Sequence, residues 1–254
     1  MNIEAKHPLL LVGCGKMGSA ILSGLLPQIP SSVCIKVVDP NGIPTQTRKD
    51  GISVFKEAKE LPSNFEPSII IFAVKPQQME KVVPYYLRFV ESGAFFISIA
   101  AGTTIKFFEG ILGSNAPIVR AMPNTPALIQ QAITVACPNS AITDSQLEAA
   151  KLLLGTIGEV IFISDEDLLD PVTAISGSGP AYVFFMICFY ANQLRTYLFR
   201  LKYHSSCFNT KSFCLITSSY GTCVICQRRN NNNWLFSQER INLLLNGSKV
   251  TVKI

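Results

Sequence analysis

The sequence predicts an α/β fold built on a doubly wound sheet, and three observations predict it. Short apolar runs of strand length alternate with segments of helical spacing over the first 165 or so residues. The first run, at residues 9–12, breaks into Gly13-x-Gly15-x-x-Gly18 and resumes with Met17, Ile21, Leu22 and Leu25 at helical spacing. Other runs, 68–74 above all, are continuous and β-branched, as strands covered on both faces are.

Within the first turn each glycine has a physical task. Gly13 makes the tight strand-to-helix turn, Gly15 lets a pyrophosphate approach the backbone, and Gly18 lets the helix pack on the strand. The N–H groups and positive end of the helix then hold phosphates. A dinucleotide site of the Rossmann type is the expectation, against the plainer alternative of a structural glycine turn. Residues 33–39 read as a second strand closed by Asp39, which lies 21 residues past Gly18. That is near the spacing at which an acid meets the ribose 2′-hydroxyl of NAD, and an acid there repels a 2′-phosphate. Equally, Asp39 opens the Asp-Pro-Asn-Gly turn at 39–42, and Lys36, Arg48 and Lys49 are at hand as phosphate cations. NADPH and NADH both stay open as cofactors.

Residues 52–54 are a third strand candidate. The fourth, 68–74, ends in Lys75-Pro76-Gln77, at the carboxyl edge where doubly wound sheets bind ligands. Lys75 and Pro76 read either as a cation and rigid turn over a cofactor or as an ordinary strand-to-helix turn. A helix over 77–89 should be kinked or interrupted by Pro84. The strand 94–99 runs into Ala100-Ala101-Gly102-Thr103-Thr104, small residues against which a planar ring can lie. The strand 117–122 is closed by Pro123-Asn124-Thr125-Pro126, a loop stiffened by two prolines. A strand at 132–136, a helix at 144–154 capped by Thr143 and a short strand at 159–163 complete the pattern. An acidic helix start at 165–170 then leads to Ser176-Gly177-Ser178-Gly179-Pro180, a break between helices. That break reads either as a flexible linker or as a backbone nest facing an anionic substrate or cofactor.

Composition narrows the function classes. A chain of 254 residues, 48% hydrophobic, is enough for one large or two modest domains. The longest apolar run, 181–190, is too short to span a bilayer. The first eight residues lack the order of a secretory signal, so a cytoplasmic protein is expected. The net charge of +5 misleads: residues 191–254 hold nine of the 22 Lys/Arg but one of the 17 Asp/Glu. That stretch therefore carries +8 and the first 190 residues −3, which removes the case for a nucleic-acid partner. Four of the eight cysteines (207, 214, 223, 226) also fall there.

Five motifs together resemble pyrroline-5-carboxylate reductase: Val-Gly-Cys-Gly-Lys-Met-Gly at 12–18, Ala-Val-Lys-Pro at 73–76, Ala-Ala-Gly-Thr-Thr at 100–104, Arg-Ala-Met-Pro-Asn-Thr-Pro at 120–126 and Ser-Gly-Ser-Gly-Pro-Ala-Tyr at 176–182. The resemblance covers about residues 8–190. It implies hydride transfer from NAD(P)H to the C=N carbon of 1-pyrroline-5-carboxylate, the last step of proline synthesis. It implies dinucleotide contacts from Val12, Gly13, Cys14, Gly15, Lys16, Met17, Ala73, Val74, Lys75 and Pro76, with Ala101 and Gly102 close by. It sets Asn124 and Thr125 near the nicotinamide, and Ser176, Gly177, Ser178 and Gly179 are the candidates for the substrate pocket. An imine carbon is already electrophilic, so proximity and orientation carry most of the chemistry. With His7 and His204 the only histidines, no Ser/His/Asp or metal set stands out, and no catalytic residue is assigned. Phe55 stands where the family usually has an asparagine near the adenosine side of the cofactor.

The resemblance divides the chain into a dinucleotide-binding Rossmann domain at 1–164, the start of a truncated all-helical dimerisation and substrate domain at 165–200, and an unmatched tail at 201–254. The family is homo-oligomeric through that helical domain. Its Ser-x-Pro-Gly-Gly-x-Thr motif is absent from 191–254. The tail reads as irregular sequence, unfolded or out of frame. Cys223-x-x-Cys226, with Cys207, Cys214 and His204, is a weak zinc pattern because only one regularly spaced pair exists. Two alternatives to a working reductase follow: an inactive remnant that at most binds nucleotide, and a hydroxyacid dehydrogenase, which lacks a patterned catalytic lysine here. Truncation also predicts bare apolar surface over 182–199. Enhanced fluorescence of the dye ANS and poor solubility are the expected outcome; a monodisperse, ANS-silent protein contradicts it.

Overall fold

Continuous apolar runs become the strands of a single eight-stranded sheet. The computed structural model describes residues 8–28, 33–45 and 51–202, with side chains to 193, and five strand backbones between 213 and 252. Two compact units result, Met1–Ser176 and Gly177–Ile254. Arg48, Lys49, His7, His204 and Cys207 lie outside the described residues.

In the first unit the elements run β1 (Leu9–Val12), α1 (Lys16–Leu25), β2 (Ile35–Val38), β3 (Ile52–Phe55), β4 (Ile69–Phe72), β5 (Phe95–Ser98), α2 (Ile105–Leu112), β6 (Ile118–Met122), β7 (Ala132–Pro138), α3 (Asp144–Gly155) and β8 (Gly158–Phe162). The spatial order is β3-β2-β1-β4-β5-β6-β7-β8. Having laid β2 and β3 to one side of β1, the chain crosses back to place β4 on the other. Leu9 thus faces Ile35 on one flank and Ile69 on the other. This reversal of winding opens a crevice at the carboxyl ends of β1 and β4, where such sheets hold ligands.

Alternate residues of the strands feed two cores. Leu9, Leu11, Ile35, Val37, Ile69 and Ile71 meet Ile21, Leu22 and Leu25 of α1 and Leu153 and Leu154 of α3. On the opposite face, Leu10, Ile70, Phe72 and Phe96 meet Tyr86, Phe89 and Phe108. Phe72 is the hub there, stacked on Phe96 and Phe108 at 6.0 and 5.8 Å and edge-on to Tyr86 at 5.5 Å. Both faces are dry, which is why β1 and β4 are apolar at every position.

Pro84 does break its helix, as expected: 76–91 is a chain of short turns, Pro76–Gln78, Met79–Val82, Val83–Tyr86 and Arg88–Glu91. Thr143 caps α3 in a full capping box with Gln146. One feature departs from the expected winding. β7 runs antiparallel to β6, with Met122 opposite Val135, and β8 follows β7 in parallel. A strand's direction leaves no mark on its residue pattern, so only the short connection of 123–131 reports it.

The expected break at 176–180 is short: Ser178 is a single turn residue between two helical segments. Residues Thr173–Gly177 form a π-helical turn, and α4 (Gly179–Lys202) starts with Pro180 in its first turn. Proline at the start of a helix needs no N–H partner, so it begins α4 and does not interrupt it. The run Glu166–Gln193 contains an 18-residue window of mean hydropathy 1.5, long and apolar enough to cross a membrane by length and composition. The 181–190 run is therefore part of a longer apolar helix. Tyr182, Phe184, Phe185, Ile187 and Tyr190 are all more than half exposed. Beyond it, the region read as irregular holds strands: β9 (Phe213–Thr217), β10 (Cys223–Arg229) and β11 (Asn233–Ser237) in one antiparallel sheet, β12 (Ile241–Leu245) and β13 (Ser248–Val252) in a hairpin. Their short apolar runs, such as Cys223-Val224-Ile225-Cys226, are of strand length, and a search for helical stripes passes over them.

Gly158 tests the sheet. It sits at φ +147 where β8 enters beside β7, and a Cβ there would overlap the carbonyl and amide of Ala132. Gly158→Ala should destabilise the protein by about 2–4 kcal/mol, read as a lowered urea midpoint with unchanged slope.

Candidate functional site

The carboxyl edge of the sheet gathers most of the residues singled out in the sequence. Gly13 (φ +90) leaves β1 with its N–H donating to the Val38 carbonyl at 2.8 Å. It lies so close to the end of β4 that a Cβ would meet Ala73 at 2.8 Å and Val74 at 2.7 Å. Ala73 N–H in turn donates to the Val12 carbonyl at 2.7 Å. Gly18, one turn into α1, would drive a Cβ into the Gly13 carbonyl. These two glycines press α1, β1 and β4 together; neither position accepts a side chain.

Gly15 is different. It is exposed, nothing lies within 4 Å of where its Cβ would be, and it N-caps α1 without a side-chain cap. The first-turn N–H groups of a helix have no partner inside it, so this end is suited to an anion. Gly102 (φ +71), beyond β5, likewise faces open space. The exposed positions Gly15, Lys16, Lys75 and Gly102 rim an edge whose floor, Val12 to Cys14, is buried. An open glycine at the helix start beside two packed ones is the pattern a pyrophosphate needs, so these residues fit a dinucleotide.

Asp39 follows β2 into the same edge. Its carboxylate accepts from Cys14 N–H at 2.6 Å through Oδ2 and from Asn41 N–H at 2.8 Å through Oδ1. Asp39 is thus both a turn opener and a brace on the glycine loop. Burial, helped by the Asp39 charge, pushes the Cys14 thiol up to about 11, so it stays protonated at neutral pH. The Lys36 ammonium is engaged over the Phe65 and Phe55 rings, at 4.7 and 5.3 Å. Phe55 holds that cation and passes its carbonyl to Asp39 N–H at 3.0 Å.

Asn124 and Thr125 occupy the loop after β6, where Asn124 acts as a clamp. Its Oδ1 accepts from Ile133 N–H at 3.0 Å, and its Nδ2 donates to Ser176 Oγ at 3.1 Å. Thr125 opens the turn Thr125–Ile129, which ends on Gln130 in the left-handed region. Gly177, Ser178 and Gly179 belong to the second unit, Gly177 ending the π-turn and Gly179 starting α4. Among the described residues no cluster of three or more His, Cys, Asp or Glu is arranged to hold a metal.

Sequence reasoning missed the support beneath this loop. Arg120, buried in β6, donates through Nη1 to Glu166 at 2.8 Å and through Nη2 to Asp170 at 3.1 Å. The same Glu166 oxygen accepts from Ile105 N–H at 2.8 Å, at the start of α2. One carboxylate thereby ties β6, α2 and the turn at 166–168. An arginine inside the apolar strand Ile118–Met122 was the available signal, since a buried cation demands an acid.

An eight-stranded, doubly wound sheet with a glycine-threaded turn at its crevice defines a Rossmann-type protein. A family model described as NADP oxidoreductase, coenzyme F420-dependent, matches residues 9–102. The chain is 35% identical over 179 residues to the pyrroline-5-carboxylate reductase of Escherichia coli, covering 69% of this chain and 65% of that one. It is 33% identical over 183 residues to the enzyme of the same name from Haemophilus influenzae, covering 72% and 67%. A solved structure of the Plasmodium falciparum pyrroline carboxylate reductase with NADP bound superposes with a TM-score of 0.62 at 25% identity, covering 80% and 81%. The chain belongs to the pyrroline-5-carboxylate reductase family. It spans about two thirds of the length of the curated relatives it matches.

Arg120→Met should lower stability by about 2–4 kcal/mol, because it strands Glu166 without its main cation. Urea unfolding checks this; Asp170, mostly exposed, contributes the smaller share.

Proposed function

We propose that the chain binds NADPH or NADH at the β1–β4 crevice and reduces 1-pyrroline-5-carboxylate to L-proline. The observation that carries this reading is the juxtaposition of an open Gly15, packed Gly13 and Gly18, and the 73–76 and 101–102 segments along one edge. In this reading Val12 to Met17 hold the pyrophosphate, and Ala73, Val74, Lys75 and Pro76 border the dinucleotide. Ala101 and Gly102 leave room for the ring. Asn124, held at both ends of its amide, stiffens the loop beside the nicotinamide, and Thr125 lies next to it. Ser176 fixes that loop from the far side, and Ser178, between Gly177 and Gly179, belongs to the substrate side.

A bound reduced nicotinamide supplies the hydride. The chain's task is to hold the ring and an already electrophilic C=N carbon in contact and to exclude water, which needs orientation more than acid–base groups. The substrate is a small molecule, the protein is cytoplasmic, and self-association through the helical segment goes with the family reading. The exposed apolar face of α4 supports that last point, since such a surface calls for a cover. The same bare face favours the second reading, a nucleotide-binding chain without turnover.

Oxidation of NADPH and NADH by the purified protein, with and without 1-pyrroline-5-carboxylate, separates the two. Substrate-dependent oxidation is expected. Nucleotide binding without oxidation would establish the second reading.

A further inference from the structure

We propose that Asp39 makes this chain discriminate against the 2′-phosphate of NADPH, so that NADH is its preferred dinucleotide. The inference rests on the dinucleotide reading above and adds which of the two cofactors the edge selects.

The geometry is specific. Asp39 follows directly on β2, neighbour of β1, at the carboxyl edge where the adenosine ribose lies in a doubly wound fold. Its carboxylate is held in place by two backbone donors, Cys14 N–H on the glycine loop and Asn41 N–H in the following turn. At 8% exposure it has no room to swing away from an incoming group. The loop that receives the pyrophosphate is therefore bonded to the acid beside the ribose, which fixes their separation. A carboxylate oxygen with a spare lone pair accepts a 2′-hydroxyl well. A phosphate ester there offers no proton and adds a second negative charge.

Among the described residues, the cations and acids that flank β2 and β3 do not offset this. Lys36, on the same strand, is spent over Phe55 and Phe65. Lys59 pairs with Glu57 at 2.6 Å, and the Glu60 carboxylate accepts from Lys56 N–H at 2.8 Å, so the segment after β3 brings its own acids. Phe55, at the end of β3, presents a ring and no hydrogen-bond donor.

The test is fluorescence titration of the purified chain with NADH and with NADPH, wild type beside Asp39→Asn and Asp39→Ser, at low and at moderate salt. Expected is binding of NADH at least about tenfold tighter than NADPH in wild type, with the ratio widening as salt is lowered. In Asp39→Ser the ratio should fall toward one, chiefly through tighter NADPH binding. Asp39→Asn removes the charge while keeping one acceptor, and should move the ratio the same way. Equal or tighter binding of NADPH by wild type overturns the proposal, whatever the variants do. So does loss of NADPH binding in Arg48→Ala or Lys49→Ala, which would show a cation serving the phosphate. Binding of neither nucleotide by a folded wild type overturns the underlying dinucleotide reading as well, and is thereby distinguished from a wrong cofactor preference.

Discussion

The contact on which the first unit depends is the close approach of the β1–α1 turn to the end of β4. Gly13 and Gly18 let three backbones meet where any side chain would intervene, with Ala73 N–H bonded to Val12 and Gly13 N–H bonded to Val38. From this seam the other features take their positions. Helix α1 starts at the crevice with its N–H groups outward, Cys14 lies within reach of Asp39, and residues 73–76 leave β4 alongside the glycine loop. Packing and ligand geometry are the same requirement here, because the residues that bring the strands together are those whose backbone lines the edge.

A second, independent support sits under the opposite end of that edge. Arg120 and Glu166 connect β6 to the start of α2 and to the turn that follows β8. Asn124 meanwhile anchors the loop above them to β7 and to Ser176. The two ends are stabilised by different means, close backbone packing at one and buried charge with amide hydrogen bonds at the other. Rigid backbone around an open edge is what a reaction controlled by orientation requires.

Local signals were well preserved in the sequence. The glycine turn, the β-branched strands, Pro84 as a breaker and the Thr143 cap each act within a few residues, and each is found where its chemistry puts it. What the sequence concealed depends on residues far apart. Arg120 and Asp170 are 50 positions apart, and nothing in the acidic stretch at 165–170 identifies which acids turn inward. For Asp39 the pattern left two roles open, and in the structure a single carboxylate performs the turn-opening one while bracing the loop. The Ser-Gly-Ser-Gly stretch left a linker and a nest both open in the sequence, and a π-turn, one turn residue and a helix start, all of which accept small residues, meet there.

The reversal of β7 has a kinetic side. Pairing β1 with β4 brings Leu9 to Ile69 and closes a loop of some sixty residues. Met122 meets Val135 across a connection of a dozen, and the Asn124 clamp to Ile133 spans nine. Loop closure entropy grows with length, and local contacts form first. The corner that carries Asn124 and Thr125 therefore costs less loop-closure entropy than the long-range parallel pairs that frame the glycine crevice. Contact order thus differs across one edge, local at the Asn124 corner and long-range at the glycine crevice.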